Sequence, residues 1–317
     1  MDLEYKRPHT DTIEQMELSV KEDIDCTDSA CEKILKLTNH DSCQIVNSGN
    51  SSILLAMSNI YGDIIVPNQG AWHGFKQAAR FLNKELITIP TDKGLINNEH
   101  LEEIGDVKDG SALFLTSFAG YSAEQDIKSI SKYCKDNDIL LVEDASGGIS
   151  DPMHKLANGK YSDVIVCSTG SPKIINVGSG GFVTTSIPDF FKDSNFLNKS
   201  LKASKEIVCG INSEIDYAEY NLTKTIESCF YVKRAFDEHV LYRDKRGINI
   251  AFECEDKNAI RSLREKLKVD NKSIITSCPN YNRLKIKGFC LELKNVNPHF
   301  LGFGDLNEIT SIIKETI

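Results

Sequence analysis

Short runs of apolar and β-branched residues alternate with helical stretches along the chain up to about Ser186. The strand-like runs are CQIV at 43–46, DIIVP, ELITIP, SALFLTSF, ILLVEDAS, DVIVCSTG and GFVTTS. Between most of them the apolar residues recur at helical spacing, as in residues 28–39 and in IKSISKYCKDN. Such alternation predicts an α/β fold with a mainly parallel, doubly wound sheet and helices on both of its faces.

The pattern changes after Ser186, where a long, polar and mostly helical stretch continues to about residue 240. Beyond it, the strand-like runs INIAFECE, SIITS and IKGFCLEL alternate with helical patterns at KNAIRSLREKLK and DLNEITSIIKETI. We therefore predict a large domain over residues 1–240, which includes a connecting helix at about 190–240. A smaller α+β domain is expected over residues 241–317.

Composition and charge exclude several classes of protein. The 317 residues are 40% hydrophobic and 26% charged, as in an ordinary globular protein, and the net charge of −9 does not favour nucleic acid as a partner. The N-terminal residues lack the apolar core of a signal peptide, and no apolar run reaches the roughly 18 residues of a membrane span. We expect a cytoplasmic protein with neither a nucleic-acid nor a membrane partner. Its ten cysteines lack zinc-binding spacing, so we predict no metal site and mostly reduced, buried thiols.

The first segment with candidate chemistry is Asn47-Ser-Gly-Asn-Ser-Ser52, between a predicted strand and a predicted helix. Amide N–H groups at a helix start, beside small polar side chains and a glycine, form a site for phosphate. Gly49, Asn50 and Ser51 are the candidate phosphate ligands. Asn and Ser are also preferred at any helix start, so this loop alone does not distinguish a phosphate site from a simple cap.

Two later segments supply an acid and a lysine. The strand LLVED ends in two acids, and because such strand ends face the ligand crevice, Asp144 is the candidate for holding a protonated ring nitrogen. An acid there could instead only cap the following turn. Lys173 lies among small and apolar residues in CSTGSPKIINVGSGG. We expect burial to lower the pKa of Lys173 and favour the neutral amine that forms a Schiff base, whereas most single lysines are solvated surface groups.

The order of these segments resembles that of the fold type I, pyridoxal-phosphate-dependent enzymes, and most closely the DegT/DnrJ/EryC1/StrS aminotransferase family. NSGNSSILLAM is similar to that family's SGT-A-A-L loop, and VPNQGAW to its VP-x-x-T-W segment. SFAGYSAEQDIKSISKYCKDNDILLVEDAS follows its H-x-Y-G-x-x-x-D-x-D-x-I to E-D-A-A run. GKYSDVIVCSTGSPKIINVGSGG corresponds to its G-x-x-G-D-x-x-x-x-S-x-x-x-x-K-x-x-x-x-G-E-G-G stretch. The resemblance covers residues 28 to about 225.

The resemblance implies a transferase that carries pyridoxal 5′-phosphate as a Schiff base on Lys173, which would also move protons at the substrate carbon. It implies that Asp144 keeps the pyridine nitrogen protonated and so makes the ring an electron sink. Asn212 in CGINSE resembles the asparagine of the family's G-x-N-Y-R segment, which reaches the cofactor phosphate of the neighbouring subunit. The resemblance therefore also implies a homodimer.

The remaining cofactor contacts are implied in the same way. Gly49, Asn50 and Ser51 would bind the phosphate through backbone and side chain, joined by Ser168. Trp72 is expected to stack on the face of the ring, although the only tryptophan of the chain could equally be a core residue.

Three positions depart from the family's pattern. Gly147 replaces the histidine or glutamine that follows E-D-A-A, Glu214 replaces the arginine of G-x-N-Y-R, and Ser179 replaces the acid of G-E-G-G. The C-terminal part also lacks the H-Y-P-x-P-L-H-like segment associated with a nucleotide-sugar site. These departures concern the substrate and the reaction more than the cofactor.

The leading functional hypothesis is an aminotransferase that moves an amino group from an amino-acid donor to a keto acceptor, with a sugar as one option. The cation for the donor's carboxylate is left open among Arg243, Arg246 and Arg283, each of which could instead be a solvated surface residue.

Two alternatives remain. The same cofactor could support elimination or desulfuration, and desulfuration would need a mobile, reactive cysteine such as Cys209, Cys229 or Cys278. An inactive family scaffold that binds a partner is a further alternative, disfavoured because the lysine, the acid and the phosphate loop are all present. A Rossmann dehydrogenase is disfavoured because no G-x-G-x-x-G follows a predicted strand.

Overall fold

The computed structural model of the chain describes residues 3–279 and 284–317. Its helices are α1 (Thr10–Glu22), α2 (Thr27–Thr38), α3 (Gly49–Ser58), α4 (Gly74–Phe81), α5 (Asn98–Glu102), α6 (Ile127–Asp136), α7 (Asn195–Ser200), α8 (Lys205–Glu214), α9 (Ala218–Arg234), α10 (Lys257–Lys266) and α11 (Phe303–Lys314). Its strands are β1 (Ser42–Val46), β2 (Ile64–Pro67), β3 (Leu86–Ile89), β4 (Ala112–Thr116), β5 (Phe118–Ala119), β6 (Ala123–Glu124), β7 (Leu140–Asp144), β8 (Val164–Ser168), β9 (Gly181–Thr185), β10 (Ile250–Glu253), β11 (Lys268–Val269), β12 (Lys272–Ser273), β13 (Ile275–Cys278) and β14 (Gly288–Leu291).

The large domain is built on a seven-stranded sheet in the order β1-β9-β8-β7-β4-β2-β3. Strands β8, β7, β4, β2 and β3 pair in parallel, whereas β9 is antiparallel to both of its neighbours, β1 and β8. Every residue of β4 and β9 is buried, as expected for strands that are covered on both faces. The predicted α/β fold with a mainly parallel sheet is confirmed.

Consecutive strand residues pack into separate cores on the two faces of the sheet, because side chains alternate along a strand. Leu113 and Leu141 belong to the core on the side of α6. Phe114 and Val142 belong to the opposite core, which includes Leu55 of α3. Burying each such side chain contributes about 1.5–3 kcal/mol, so the two cores hold the sheet and fix the edge at which its strands end.

The C-terminal part forms a smaller antiparallel sheet in the order β10-β14-β13, against which α10 and α11 pack. The stacked rings of Phe252 and Phe289, with centroids 4.8 Å apart, lie in its core. Helix α9 contributes to both cores, since Leu222 packs in the core of the large domain and Val232 in that of the small one. The two cores therefore share one helix.

We propose that the domains divide near residue 240, with α9 as the connecting helix. The support is the change of core along α9, together with Lys233, which is fully buried near the end of that helix. Its Nζ donates hydrogen bonds to the carbonyl oxygens of Ser122 at 2.8 Å, Tyr242 at 3.1 Å and Lys245 at 2.8 Å. Burial lowers the pKa of Lys233 to about 8. This side chain thus joins the large domain to the segment that leads into the small one.

One pair of cysteines differs from the expectation of reduced thiols. Cys26 and Cys209 are joined by a disulfide, which connects the start of α2 to α8. The two cysteines are 183 positions apart, and neither lies in a motif that indicates pairing, so this disulfide could not be predicted.

The structure also bears on membranes and metals. In the described ranges, 3–279 and 284–317, none of the helices has both the length and the apolar character that crossing a bilayer requires. The same residues contain no group of three or more His, Cys, Asp or Glu side chains arranged to hold a metal ion.

Candidate active site

The predicted site residues gather at the edge of the sheet where the parallel strands end. Asp144 is the last residue of β7 and Ser168 the last residue of β8, and Lys173 lies in the loop that follows β8. Gly49 opens α3, which packs against β8 and β9. Because neighbouring parallel strands end at the same edge, four residues that are distant in sequence lie together where an open α/β sheet binds its ligand.

A chain of hydrogen bonds fixes the carboxylate of Asp144, a residue that is only 6% exposed. Its Oδ1 accepts hydrogen bonds from the backbone N–H of Ser146, at 3.0 Å, and from the Ser146 hydroxyl. That hydroxyl oxygen accepts a further hydrogen bond from the backbone N–H of Ser168, at 2.8 Å. The second oxygen, Oδ2, accepts no hydrogen bond from any residue in the described part of the chain. One acceptor of a nearly buried carboxylate is thus left for a ligand.

The neighbouring acid, Glu143, points to the other face of the sheet and is fully buried there. It accepts hydrogen bonds from the hydroxyls of Ser117 and Ser162, both at 2.6 Å, and from the N–H of Ala157 at 3.0 Å. Burial raises the pKa of Glu143 in spite of these three donors. Its contacts are internal, which leaves Asp144 as the acid that faces the crevice.

The predicted phosphate loop packs tightly against the end of β8. A Cβ atom on Gly49 would lie 2.3 Å from the Cβ of Ser168, so this close approach requires glycine. The hydroxyl of Ser48 caps the helix by accepting a hydrogen bond from the N–H of Ser51, at 3.1 Å. The Ser51 hydroxyl donates to Oδ1 of Asn47 at 2.6 Å. The first turn of α3 is therefore held beside Ser168 with its amide groups directed along the helix axis.

Trp72 contacts the same loop through Asn50. Its indole Nε1 donates a hydrogen bond to the Asn50 Oδ1 at 3.1 Å. The side chain is 36% exposed, and its ring lies 4.2 Å from that of His73 at an angle of 56°. Trp72 is therefore not packed in the core, and it lies at the loop that is predicted to bind phosphate.

Lys173 is half-buried, and its Nζ donates a hydrogen bond to the hydroxyl of Tyr121 at 2.8 Å. Burial lowers the pKa of Lys173, but Tyr121 and the Asp144 carboxylate together raise it by more, so the net shift is upward. The predicted lowering of this pKa is wrong, because the expectation considered burial without the two neighbours.

The loop that carries Lys173 is supported from behind by two other elements. The carbonyl oxygen of Ile174 accepts hydrogen bonds from Nδ2 of Asn221, in α9, at 3.3 Å and from Nζ of Lys6 at 3.4 Å. The Nδ2 group of Asn176 donates in turn to the carbonyl oxygen of Lys6 at 3.2 Å. Burial lowers the pKa of Lys6 to about 7. The N-terminal segment thus helps to position the lysine loop.

Asn212 lies in α8 and is not joined by hydrogen bonds to the other predicted site residues within the described chain. Its carbonyl oxygen accepts a hydrogen bond from Lys33 at 2.8 Å, and its Oδ1 is buried without a hydrogen-bond partner among the described residues. The nearby Glu214, which replaces the family's arginine, accepts hydrogen bonds from the N–H and Nδ1 of His9 and from the hydroxyl of Thr12. The Glu214 carboxylate therefore links the start of α1 to α8.

The arginines considered for a substrate carboxylate differ in their surroundings. Arg246 binds both carboxylate oxygens of Asp151, at 2.6 and 3.1 Å, and also Glu124. Arg243 lies at the surface, 3.1 Å from a carboxylate oxygen of Asp237. Arg283 lies outside the described residues. Both described arginines are therefore paired with acids of the chain itself.

The cysteines considered for desulfuration are also engaged. Cys209 is in the disulfide. Cys229 is buried, and burial raises its pKa to about 12. The sulfur of Cys278 lies 3.6 Å from that of Cys290. These environments disfavour the exposed thiolate that desulfuration needs.

The residues of the crevice fit pyridoxal phosphate. Asp144 presents an open, nearly buried acceptor of the kind that a protonated ring nitrogen requires. Lys173 presents an amine at the same edge of the sheet, near enough to Asp144 for the carboxylate to raise its pKa. The start of α3, approached closely because Gly49 lacks a side chain, offers a phosphate site.

Sequence reasoning missed Tyr121, the side chain that contacts Lys173. Its segment was matched to a family motif, but the tyrosine itself was not singled out. The available signal was its place in GYS, directly after the strand-like run SALFLTSF, since residues at strand ends face the crevice.

Two family profiles match the chain. The DegT/DnrJ/EryC1/StrS aminotransferase family matches residues 28–216, and the MJ1341 family C-terminal domain matches residues 219–314. The first match covers more than half of the chain and includes Gly49, Asp144 and Lys173.

Several solved structures share the fold over nearly the whole chain. Helicobacter pylori PseC, an aminotransferase involved in the biosynthesis of pseudoaminic acid, is 14% identical with a TM-score of 0.78, over 100% of this chain and 99% of that one. A subgroup IV aspartate aminotransferase from Thermus thermophilus is 15% identical with a TM-score of 0.72, again over 100% and 99%. NtdA from Bacillus subtilis, solved with bound cofactor PMP, is 12% identical with a TM-score of 0.74, over 98% and 82%. The fold is thus fold type I, and with the family match over residues 28–216 the chain belongs to the DegT/DnrJ/EryC1/StrS aminotransferase family, as a pyridoxal-phosphate-dependent transferase.

Proposed function

We propose that the chain is an aminotransferase that moves an amino group from an amino-acid donor to a keto acceptor. The observation that carries the proposal is the meeting of Lys173 and Asp144 at one edge of the sheet, where the Asp144 carboxylate helps to raise the pKa of Lys173. Bound pyridoxal phosphate supplies an electron sink for reactions at an amino-acid carbon. The residues of the chain have to hold it, exclude water and move protons.

Asp144 would stabilise the positive charge of the ring nitrogen. Its Oδ1 is fixed by Ser146, which leaves Oδ2 as the acceptor that faces the crevice. Because the carboxylate is nearly buried, its charge is poorly screened and the hydrogen bond it accepts is a strong one.

The phosphate would bind at the start of α3 through backbone and side-chain groups of Gly49, Asn50 and Ser51, with Ser168 beside them. The tight contact between Gly49 and Ser168 places these groups within one small region. Trp72 would cover the ring from the side of this loop, where its hydrogen bond to Asn50 already orients it.

Lys173 would carry the cofactor and move the proton at the substrate carbon. A general base must lie within hydrogen-bond reach of the proton it takes. The hydrogen bond from Asn221 to the carbonyl oxygen of Ile174 holds the loop that carries Lys173, and so helps to keep the lysine in place. Desulfuration at the same cofactor has less support because Cys209, Cys229 and Cys278 are not poised as exposed thiolates.

The proposed function predicts a change in the absorbance of the holoenzyme when the correct amino donor is added. Glutamate, glutamine, alanine, aspartate and cysteine are added in turn to the protein loaded with pyridoxal phosphate. One donor should convert the visible or near-ultraviolet band to that of the pyridoxamine form, and a keto acceptor should then restore it. Keto sugars belong in the acceptor panel because PseC acts in pseudoaminic acid biosynthesis.

Protein reduced with borohydride beforehand is the matched control, since it cannot respond to any donor. An unchanged band with every donor, in protein that has bound the cofactor, would contradict transamination of these amino acids and favour a different reaction. A protein that binds no cofactor would contradict the whole proposal.

We also propose that the active form is a homodimer in which Asn212 reaches the partner's cofactor phosphate. The support is the resemblance of CGINSE to the family segment that makes this contact. Light scattering should give twice the mass of the 35.4 kDa chain. Asn212→Ala should weaken cofactor binding roughly 10- to 150-fold, as expected from the loss of one hydrogen bond to a charged group.

The exposed Asn258 of α10 provides a control, because Asn258→Ala should leave cofactor affinity unchanged. A monomer that binds the cofactor stoichiometrically would refute the dimer proposal.

A further inference from the structure

The hydroxyl of Tyr121 is bonded to the lysine at the centre of the proposed reaction. Nζ of Lys173 lies 2.8 Å from the Tyr121 oxygen, a normal hydrogen-bond length, although the two residues are 52 positions apart in the sequence. The ring itself is partly buried against the core of the large domain. Residues so far apart in the sequence meet only because the fold brings them together, so this contact is a feature of the tertiary structure.

The backbone at Tyr121 has an unfavourable conformation. Its φ is 63°, in the left-handed region, where a residue with a side chain is strained by roughly 1–2 kcal/mol. The conformation is held by the Tyr121 carbonyl oxygen, which accepts hydrogen bonds from the N–H groups of Ile248 and Asn249, both at 2.9 Å. Such strain persists where surrounding contacts enforce it, and it is concentrated at functional sites. These contacts fix the direction in which the Tyr121 ring leaves the chain.

Gly147 lies directly beside the Tyr121 ring. A Cβ atom on Gly147 would lie 3.2 Å from Cε1 and 3.3 Å from Cδ1 of Tyr121, and 2.9 Å from Cδ1 of Ile248. A histidine or glutamine, as in the family's motif, would therefore displace Ile248 and crowd the Tyr121 ring. The lack of a side chain at Gly147 therefore leaves room for the Tyr121 ring in its observed position.

The chemistry of the two groups is well matched. A phenol oxygen can accept a hydrogen bond from an ammonium group and also from an N–H group of a neutral amine. The same contact can therefore be kept in both protonation states of Lys173.

We propose that Tyr121 is a positioning residue that holds Nζ of Lys173 in place while the lysine gains and loses the substrate's proton. The inference rests on the proposed function, in which Lys173 takes that proton. When the C–H bond breaks, its electron pair stays with the substrate and the proton goes to Nζ, and the ammonium group then donates a hydrogen bond to Tyr121. When the proton returns to a carbon atom, the neutral amine still donates one of its N–H groups to the Tyr121 oxygen, which leaves the nitrogen lone pair free to take the next proton. Tyr121 has no net change in protonation.

The test uses Tyr121→Phe, which keeps the ring and removes the hydroxyl. Tyr161→Phe is the matched control, because Tyr161 is also partly buried against the core of the large domain and no catalytic role is assigned to it. Thermal unfolding midpoints show whether each variant is folded.

The first readout is the carbamylation of Lys173 by cyanate in the cofactor-free chain, followed over pH by mass spectrometry of the peptides. Tyr121 contributes to the raised pKa of Lys173. Its loss should therefore lower that pKa, increase the neutral amine at a fixed alkaline pH and accelerate carbamylation severalfold. The second readout is the half-reaction of the loaded enzyme, in which kcat should fall roughly 10²-fold while KM changes less than about threefold.

An unchanged pH profile of carbamylation, or a kcat within about twofold of the parent, would overturn the role of Tyr121. A fall in kcat that accompanies a lower unfolding midpoint and an unchanged pH profile would also overturn it, because a structural defect explains that pattern. Failure of the proposed function has a different signature, namely turnover that persists in Lys173→Ala. The carbamylation profile does not depend on turnover and reports on the Tyr121 contact in either case.

Discussion

Replacing Lys173 with alanine should reduce turnover by roughly 10⁴-fold or more, as is typical when the group that performs the chemistry is removed. The chain should still fold, because the side chain is only half-buried and its Nζ donates to the Tyr121 hydroxyl rather than to a buried core group. Borohydride reduction of the loaded protein, followed by peptide mapping, should place the cofactor on Lys173 in the parent protein. The variant should carry no cofactor on any lysine after the same treatment.

The exposed Lys160, in the loop before β8, provides the control. Lys160→Ala should retain both turnover and the labelled Lys173 peptide. A Lys173→Ala protein that is labelled on another lysine and still turns over would show that Lys173 is not the residue that carries the cofactor.

Replacing Asp144 with asparagine should lower kcat/KM by roughly 10²- to 10³-fold, which corresponds to a loss of about 3–4 kcal/mol of transition-state stabilisation. The shape of the side chain is kept, and an amide oxygen can still accept the hydrogen bonds from Ser146. The negative charge that would stabilise a protonated ring nitrogen is removed. Steady-state kinetics and a pH titration of the cofactor absorbance measure the two consequences.

The adjacent acid offers a matched comparison, because Glu143 is buried on the opposite face of the sheet. Glu143→Gln should cost roughly 1–3 kcal/mol of folding free energy. The new amide NH2 group would point at hydrogen-bond donors that a carboxylate oxygen now accepts from. The kcat of this variant should remain within a few-fold of the parent. An equal loss of kcat/KM in both variants would show that the crevice does not distinguish the two acids.

The sequence predicts the large-domain sheet well because its strands are short, apolar and separated by amphipathic helices. The six runs from DIIVP to GFVTTS correspond to β2, β3, β4, β7, β8 and β9. Helix α1 escaped prediction because its buried residues are Thr12 and Ser19, so no apolar periodicity marks it. That helix is held to α8 by polar contacts such as the one between Thr12 and Glu214.

The candidate site is predictable only in part. The order of the motifs identifies Lys173 and Asp144, because strand ends can be read from the apolar pattern. The contact with Tyr121 and the direction of the pKa shift of Lys173 depend on side chains brought together by the fold, at a separation of 52 positions. The absence of a side chain at Gly147 is visible in the sequence, but the group that fills the space is not.

The helix shared by the two cores has a consequence for any attempt to separate the domains. A truncated chain ending at residue 240 would leave Cys229, Val232 and Phe236 of the α9 region without the small-domain side chains that now cover them. Newly exposed apolar groups of this kind favour aggregation. The two domains are therefore expected to be lost together in a single cooperative transition, and limited proteolysis would not release either of them as a stable fragment.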